Sequence, residues 1–120
     1  MSRVILTVDD SASMRQMVSF TLRGAGYEVV QASDGAEALD YARTNAVDLV
    51  LTDVNMPGMD GMTLVRELRG LPNYRLTPML VLTTEGGQDK KALGKQAGAT
   101  GWIVKPFNPE QLLATIARVL

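Results

Sequence analysis

Polar side chains stand at the ends of four short apolar runs, and they are the residues of this sequence best suited to chemistry. They are three carboxylates, a hydroxyl and an ammonium group, on Asp9, Asp10, Asp53, Thr83 and Lys105. Three carboxylates that lie close together repel one another, and their pKa values rise unless a cation lies among them. Mg²⁺ fits such a group because it prefers oxygen ligands and keeps several of its waters. These residue types therefore indicate a magnesium site, provided that the run ends meet.

The same residues indicate phosphoryl transfer. A carboxylate such as Asp53, placed beside Mg²⁺, can attack phosphorus and form an aspartyl phosphate. This transfer depends mainly on positioning and on positive charge around the equatorial oxygens, which Mg²⁺ and Lys105 could supply. The Thr83 hydroxyl or a backbone N–H could complete the cradle. Taken singly, each residue is also typical of a turn, a strand end or a solvated surface, so the prediction depends on their joint placement.

The composition limits both the chemistry and the partners. The 120 residues include no histidine and no cysteine, which excludes the commonest general base, thiol catalysis and thiolate zinc sites. Hydrophobic residues make up 46% and charged residues 21%, as in an ordinary globular domain. The formal net charge is −1 with scattered Lys and Arg, and no apolar stretch approaches the ~18 residues of a membrane span. We therefore expect one cytoplasmic domain that neither binds nucleic acid nor inserts into a membrane.

Five apolar runs have the length and composition of buried strands. They span residues 4–8, 28–31, 48–52, 79–83 and 101–104. Such runs, bounded by turn residues, are typical of strands covered on both faces, as in parallel sheets. The third run gives the strongest signal, because Asp53 and a Pro/Gly-rich turn follow it at once.

Segments with helical periodicity separate these runs. The predicted helices cover about residues 13–25, 34–44, 61–69, 88–97 and 108–120. Ser13 and Gln16 have capping-box spacing for the first helix, Asp34 and Glu37 have it for the second, and Asn108 is the expected N-cap of the last. The first helix is expected to pack through an apolar face made of Met14, Met17, Val18, Thr21, Leu22 and Ala25.

The alternation of strands and helices predicts a doubly wound α/β domain. Its sheet is expected to be parallel, with right-handed crossovers and helices on both faces. All strands of such a sheet end at the same edge, and neighbouring strands lie about 4.8 Å apart. The polar residues at the run ends should therefore meet, at the edge where chemistry gathers in open α/β sheets.

Four short motifs span the chain in order: VDDS at residues 8–11, DVNMPGMDG at 53–61, LTTE at 82–85 and KPF at 105–107. As an ordered set they resemble the receiver domains of response regulators, in particular the single-domain, CheY-like chemotaxis regulators. The resemblance implies a single receiver domain over residues 1–120 with the flavodoxin-like (βα)5 fold. It also implies the strand order 2-1-3-4-5, for which CheY is a known example.

The resemblance implies a role for each acidic residue. Asp53 would be the phosphoacceptor, and the donor would be a phosphohistidine on a partner histidine kinase. Asp10, Asp53 and the backbone carbonyl of Asn55 would bind Mg²⁺, with Asp9 assisting through a water. The protein would catalyse only its own phosphorylation and dephosphorylation, so we do not expect an enzyme that acts on another substrate.

The resemblance also implies how the signal leaves the site. Thr83 and Lys105 would contact the phosphoryl oxygens, and the Lys105–Pro106 peptide bond would be cis. After phosphorylation Thr83 would move towards Asp53 and vacate space beneath Trp102, the switch residue; the alternative is that Trp102 only packs on the sheet edge. The output surface would be the fourth predicted helix, the fifth strand and the last helix. We expect a monomer that binds a flagellar motor or another target and is also served by a phosphatase.

Three positions depart from the family pattern. Val54 follows the phosphoacceptor, where some chemotaxis members carry Trp. Thr84 stands where a smaller residue is usual, and with Asn55 and Glu85 it would tune access to the phosphoryl group and its hydrolysis. Gly86-Gly87 replaces the basic pair of familiar motor-binding members. The identity of the output partner therefore stays open.

Two other classes of protein can be weighed against this interpretation. A Mg-dependent aspartyl-phosphate phosphatase would carry a D-x-D pair after its first strand, whereas Asp9 and Asp10 are adjacent. A flavin carrier would need a phosphate-binding loop there, and two acids would repel its phosphate. We therefore expect a phosphorylation-driven binding switch of two-component signalling, in chemotaxis or motility. A phosphorelay or sensor-array regulator without a motor target is the alternative.

Overall fold

The structure, a computed structural model, describes residues 3–84, 92 and 95–120. Within them the strands are β1 Val4–Val8, β2 Glu28–Ala32, β3 Leu49–Asp53, β4 Met79–Thr83 and β5 Gly101–Val104. They form one parallel sheet in the order β2-β1-β3-β4-β5. The doubly wound fold and the strand order are confirmed. Only two strands differ from the predicted ranges: β2 is one residue longer, and β3 is shifted by one residue.

Helices connect the strands. They are α1 Ala12–Gly24, α2 Gly35–Thr44, α3 Gly61–Arg69 and a C-terminal helix Pro109–Val119, with a 3₁₀ turn at Pro72–Tyr74 between α3 and β4. Of the helix predicted over residues 88–97, residues 92 and 95–97 are described and helical. The rest of that prediction lies outside the described residues. Among the helices that are described, none is long and apolar enough to cross a membrane.

The core consists of two apolar clusters, one on each face of the sheet. α2 and α3 contribute to one cluster, and α1 and the C-terminal helix contribute to the other. β3 and β4 are buried at every position, as their wholly apolar sequences predict. Because β3 is covered on both faces, Asp53 stands at the end of a rigid element.

α1 begins earlier than predicted. Ser11 caps it by accepting a hydrogen bond from the Met14 backbone N–H at 3.3 Å. The capping box predicted from Ser13 and Gln16 is therefore wrong, because both residues already lie inside the helix. Ser11 is held at the cap by its own N–H, which donates to Asp9 Oδ1 at 2.9 Å. The helix start is thus set by the acidic turn that precedes it.

The buried face of α1 also differs from the predicted one. Val18 and Leu22 are buried as expected, but Met17 is 54% exposed and Ala25 is exposed. Ser19 is buried in their place. Hydrophobicity alone placed Met17 on the inner face, whereas the helix is rotated so that positions 18, 19 and 22 meet the sheet.

The other predicted caps are confirmed. Asp34 accepts a hydrogen bond from the Glu37 N–H at 2.7 Å and caps α2. Asn108 caps the C-terminal helix by accepting from the N–H groups of Glu110 and Gln111. Asp60 caps α3 as well, although the sequence analysis did not assign it that role. It closes the loop that follows Asp53, so the start of α3 is fixed close to the site.

Arg69 holds together the edge of the sheet opposite the strand ends that carry Asp53 and Thr83. Its guanidinium donates five hydrogen bonds of 2.7 to 3.3 Å, to the carbonyls of Tyr74, Arg75, Thr77 and Gly98 and to Thr100 Oγ1. Burial lowers the pKa of Arg69. The side chain therefore joins the end of α3 to the segments that lead into β4 and β5.

Candidate functional site

The carboxyl ends of β1 and β3 bring three acids together. Asp9, Asp10 and Asp53 each offer a carboxylate oxygen, and these oxygens lie within 4.8 Å of one another. Asp9 and Asp53 are only 3% and 8% exposed, whereas Asp10 faces solvent. The acidic side chains at the ends of β1 and β3 therefore lie close together, as predicted. Two buried oxygens and one exposed oxygen form a cluster that a hard cation can reach from solvent.

Lys105 lies between two of these carboxylates. Its Nζ donates to Asp53 Oδ1 at 3.1 Å and to Asp9 Oδ2 at 3.4 Å, and its side chain is 12% exposed. The residue follows the end of β5, and its backbone N–H donates to the Thr83 carbonyl at 2.7 Å. The ammonium group therefore counters part of the acidic charge and is positioned by the sheet itself.

The environment of Asp53 raises its pKa above the usual value. Burial is the largest cause, and repulsion from Asp9 acts in the same direction. Lys105 opposes the shift through its hydrogen bond and its charge, as does the Val54 N–H, which donates to Asp53 Oδ1 at 3.0 Å. The sequence predicts a shift caused by repulsion among the acids, whereas burial contributes more. Any cation added here favours the ionised form of Asp53.

The turn after β1 is held by a residue that the sequence analysis missed. Arg15 Nη1 donates to the Asp9 carbonyl at 2.7 Å. With the Ser11 N–H on Asp9 Oδ1 and Lys105 on Asp9 Oδ2, both the backbone and the carboxylate of Asp9 are fixed. No sequence signal pointed to Arg15 beyond its position one turn into α1.

The loop between β3 and α3, residues 54–60, carries Asn55. The side chain of Asn55 is exposed, but its neighbours Val54 and Met56 are buried. The base of the loop is closed by the Gly61 N–H, which donates to the Val54 carbonyl at 2.9 Å. A Cβ atom at Gly61 would lie 2.1 Å from the Asp53 carbonyl oxygen, so only glycine allows this close approach.

The remaining predicted site residues lie along β4 and β5. Thr83 is fully buried at the end of β4, one residue after the β4 position that pairs with Asp53. Trp102 is half-buried on β5, and the Lys105–Pro106 peptide bond is cis. Thr84 is exposed at the rim. The prediction made for Glu85 lies outside the described residues.

The arrangement combines a buried, rigidly held carboxylate with a lysine and an open group of acids. Its donors are all oxygens, as a hard cation such as Mg²⁺ requires, and the described residues contain no histidine that would favour another metal. Such a group can hold a divalent cation beside Asp53 and direct positive charge at an incoming anion. This geometry suits phosphoryl transfer to Asp53, which depends on positioning and on positive charge near the reacting group.

Comparison with known proteins identifies the class. Residues 5–117 match the family described as "Response regulator receiver domain". The chain therefore belongs to the response regulator receiver family, and the resemblance inferred from its motifs is confirmed.

Within this family the chain is similar to chemotaxis proteins of the CheY type. It is 39% identical over 118 residues to the chemotaxis protein CheY1 of Helicobacter pylori, covering 97% of this chain and 95% of that protein. It is 54% identical to the chemotaxis protein CheY4 of Vibrio cholerae, whose structure it matches with a TM-score of 0.97 over the whole of both chains. A CheY-like receiver fold is thus established.

Other relatives show how widely this domain is used. The chain is 37% identical to the alkaline phosphatase synthesis transcriptional regulatory protein PhoP of Bacillus subtilis, and it spans about half (49%) of that longer protein. It also matches the receiver domain of sensor histidine kinase PA1611 from Pseudomonas aeruginosa, at 30% identity, a TM-score of 0.91 and coverage of 98% of this chain and 97% of that one. That structure is described with a magnesium ion coordinated in the active-site cleft.

Proposed function

We propose that this chain is a phosphoacceptor that takes a phosphoryl group on Asp53 from a phosphohistidine of a partner histidine kinase. The observation that carries the proposal is the 3.1 Å contact between the buried Asp53 carboxylate and the Lys105 ammonium, within a cluster of three acids. In this reaction an Asp53 carboxylate oxygen bonds to phosphorus as the bond from phosphorus to the imidazole nitrogen breaks. The electron pair of that bond stays on the imidazole. The chain catalyses its own phosphorylation and dephosphorylation and has no other substrate.

The acid cluster fits Mg²⁺. Asp10, Asp53 and the Asn55 carbonyl would hold the ion, and Asp9 would reach it through a water. When bound, Mg²⁺ supplies positive charge that offsets the repulsion among the acids and attracts the phosphoryl oxygens. The related Pseudomonas receiver, which is described with magnesium in its cleft, supports this assignment.

Lys105 and Thr83 serve the phosphoryl group once it is attached. Lys105 already contacts Asp53, so its ammonium needs to move only a short distance to reach a phosphoryl oxygen. Thr83 stands at the end of the strand next to β3, from which its hydroxyl can be drawn towards the added charge. Asn55 and Thr84, both exposed at the rim, tune access to the phosphoryl group and its hydrolysis.

The output is a change in protein binding, and the similarity to CheY1 and CheY4 supports a role in chemotaxis or motility. Trp102 carries the change, because it lines two clefts on this face. One cleft includes Lys95 and Thr100, and the other includes Gln111 and Thr115 on the C-terminal helix. This face fits a protein target such as a motor component. A phosphatase that removes the signal completes the set of proposed partners.

A phosphorelay or sensor-array regulator would share the same site and differ only in its target. The fluorescence of Trp102 distinguishes a Trp102 that acts as a switch from one that only packs on the sheet edge. Because Trp102 is the single Trp of the chain, it reports on this face without mutation. Beryllofluoride with Mg²⁺ should change Trp102 emission or its quenching by iodide, and Thr83→Ala should weaken that change. Unchanged fluorescence on fully modified protein would mean that the signal leaves through another element.

Intact-mass spectrometry with phosphoramidate as a small phosphoryl donor tests the phosphoacceptor. The parent and Asp40→Asn, a substitution at an exposed acid outside the cluster, should gain one phosphoryl group when Mg²⁺ is present. Asp53→Asn should gain none, and EDTA should prevent labelling of the parent. Equal labelling of Asp53→Asn, or full labelling of the parent in EDTA, would refute the assignment.

A further inference from the structure

We propose that Gly35 is a positioning residue for the metal site, although it lies in α2 whereas the acids of the cluster lie at the ends of β1 and β3. Gly35 lets the first turn of α2 pack directly against Met59, and this contact holds the loop of residues 54–60 that carries the Asn55 carbonyl. The inference rests on the proposed function, because it takes that carbonyl as a ligand of Mg²⁺.

The contact is too close for any other residue at position 35. A Cβ atom on Gly35 would lie 2.9 Å from Met59 Cβ, 3.0 Å from Met59 Cγ and 3.1 Å from the Met59 carbonyl oxygen. Two of these atoms are the backbone oxygen and the first side-chain carbon, so a rotamer change of Met59 cannot relieve the collision. Gly35 is buried and does not have a positive φ. Space, rather than backbone conformation, is therefore the reason for a glycine here.

In the part of the chain that the structure describes, the hydrogen bonds that hold the loop lie at its two ends, among them those from the Val54 N–H to Asp53 Oδ1 and from the Thr63 N–H to Asp60 Oδ1. The base of the loop is closed by the hydrogen bond from the Gly61 N–H to the Val54 carbonyl, and Met56 is buried in the core. Gly58, with φ of +78°, forms the turn between Met56 and Met59. The exposed side chain of Asn55 contributes no burial. The position of its carbonyl thus depends on how the loop packs, and Met59 packs closely against Gly35 of α2.

Isothermal titration with Mg²⁺ measures the effect on the site without any phosphoryl donor. Gly35→Ala should weaken Mg²⁺ binding about fivefold, a modest change for a residue that supports a metal ligand from behind. Gly24→Ala is the matched control, because Gly24 also lies in a helix and a Cβ atom there meets nothing within 4 Å. Affinity of Gly35→Ala within about twofold of the parent would overturn the inference.

A double-mutant cycle identifies the contact responsible. Met59→Gly removes the two closest atoms and leaves only the carbonyl oxygen at 3.1 Å, so Gly35→Ala should cost clearly less Mg²⁺ affinity in this background than in the parent. An equal loss in both backgrounds would show that Met59 is not involved and would overturn the inference. If Gly35→Ala does not fold, Met59→Ala, which opens the contact without a collision, should still weaken Mg²⁺ binding, and parental affinity would count against the proposal. Failure of the parent itself to bind Mg²⁺ would refute the proposed metal site and this inference together.

Discussion

Replacing Lys105 by Met should destabilise the protein in a way that depends on pH and on Mg²⁺. Methionine keeps most of the side-chain length and removes the charge that contacts both Asp53 and Asp9. A hydrogen bond to a charged group contributes about 1.5–3 kcal/mol. Of the two bonds, the one at 3.1 Å is near ideal and the one at 3.4 Å is long. We therefore expect a loss of about 3 kcal/mol at pH 7, within the range found when one partner of a buried ion pair is removed.

The expected loss corresponds to a large change in Tm. An unfolding entropy of ~2.1 cal/mol/K per residue gives roughly 0.25 kcal/mol/K for a chain of this size, so about 3 kcal/mol lowers Tm by roughly 12 °C. Lys105 opposes the upward shift of the Asp53 pKa, so that pKa rises further in the variant. Stability of the variant is then lost as the pH rises through the folded-state pKa. The difference from the parent should shrink as the pH falls towards 3.8, because protonation of Asp53 removes the charge that Lys105 compensates.

Thermal unfolding in metal-free buffer at pH 4 and pH 7, followed by addition of Mg²⁺ at pH 7, tests these expectations. Mg²⁺ should recover part of the lost stability, because it replaces the missing positive charge. Lys95→Met is the control, since Lys95 is exposed and its replacement should leave Tm almost unchanged. Equal Tm of Lys105→Met and parent at pH 7, or a loss of the same size at both pH values, would show that the ion pair is not what Lys105 contributes.

Four further substitutions test other parts of the structure, each by urea unfolding. Asp53→Asn should stabilise the protein at pH 7 and lose this advantage as the pH falls towards 3.8, because the raised pKa means that folding disfavours the ionised group; a destabilised variant would contradict this. Ser19→Ala should add about 1 kcal/mol, since the buried hydroxyl has no hydrogen-bond partner among the described residues. Arg69→Met should lose about 3 kcal/mol or more because several carbonyls lose their donor. Gly61→Ala should lose over ~2 kcal/mol through collision with the Asp53 carbonyl, and a neutral result would contradict the close approach.

Local patterns in the sequence predicted most of the fold. The buried strands are continuous apolar runs bounded by turn residues. For this reason the first and last residues of β1, β4 and β5 could be predicted correctly. The acid cluster followed from the rule that parallel strands end at one edge. The strand order did not follow from any local pattern and came only from resemblance to a known family. Order in a sheet depends on packing between distant segments, which periodicity does not report.

Errors and omissions arose where tertiary contacts decide the outcome. Met17 fits a helical apolar face, but the angle at which α1 lies on the sheet leaves it in solvent and buries Ser19. Arg69 has no sequence signature, because its acceptors are backbone carbonyls brought together by folding. The packing of Gly35 on Met59 joins positions far apart in the chain, and nothing near either residue predicts it.

In the proposed reaction Asp53 must be ionised, whereas folding disfavours the ionised form of Asp53. Burial makes Asp53 hard to ionise, yet attack on phosphorus requires the ionised form. Lys105 partly resolves this, but it is shared with Asp9, which is itself almost fully buried. In the proposed function, a phosphoryl group on Asp53 would compete for the same ammonium and would leave Asp9 with less compensation. Lys105 and the proposed divalent cation would therefore act as complementary counter-ions for one group of carboxylates, and each would become more important when the other is removed.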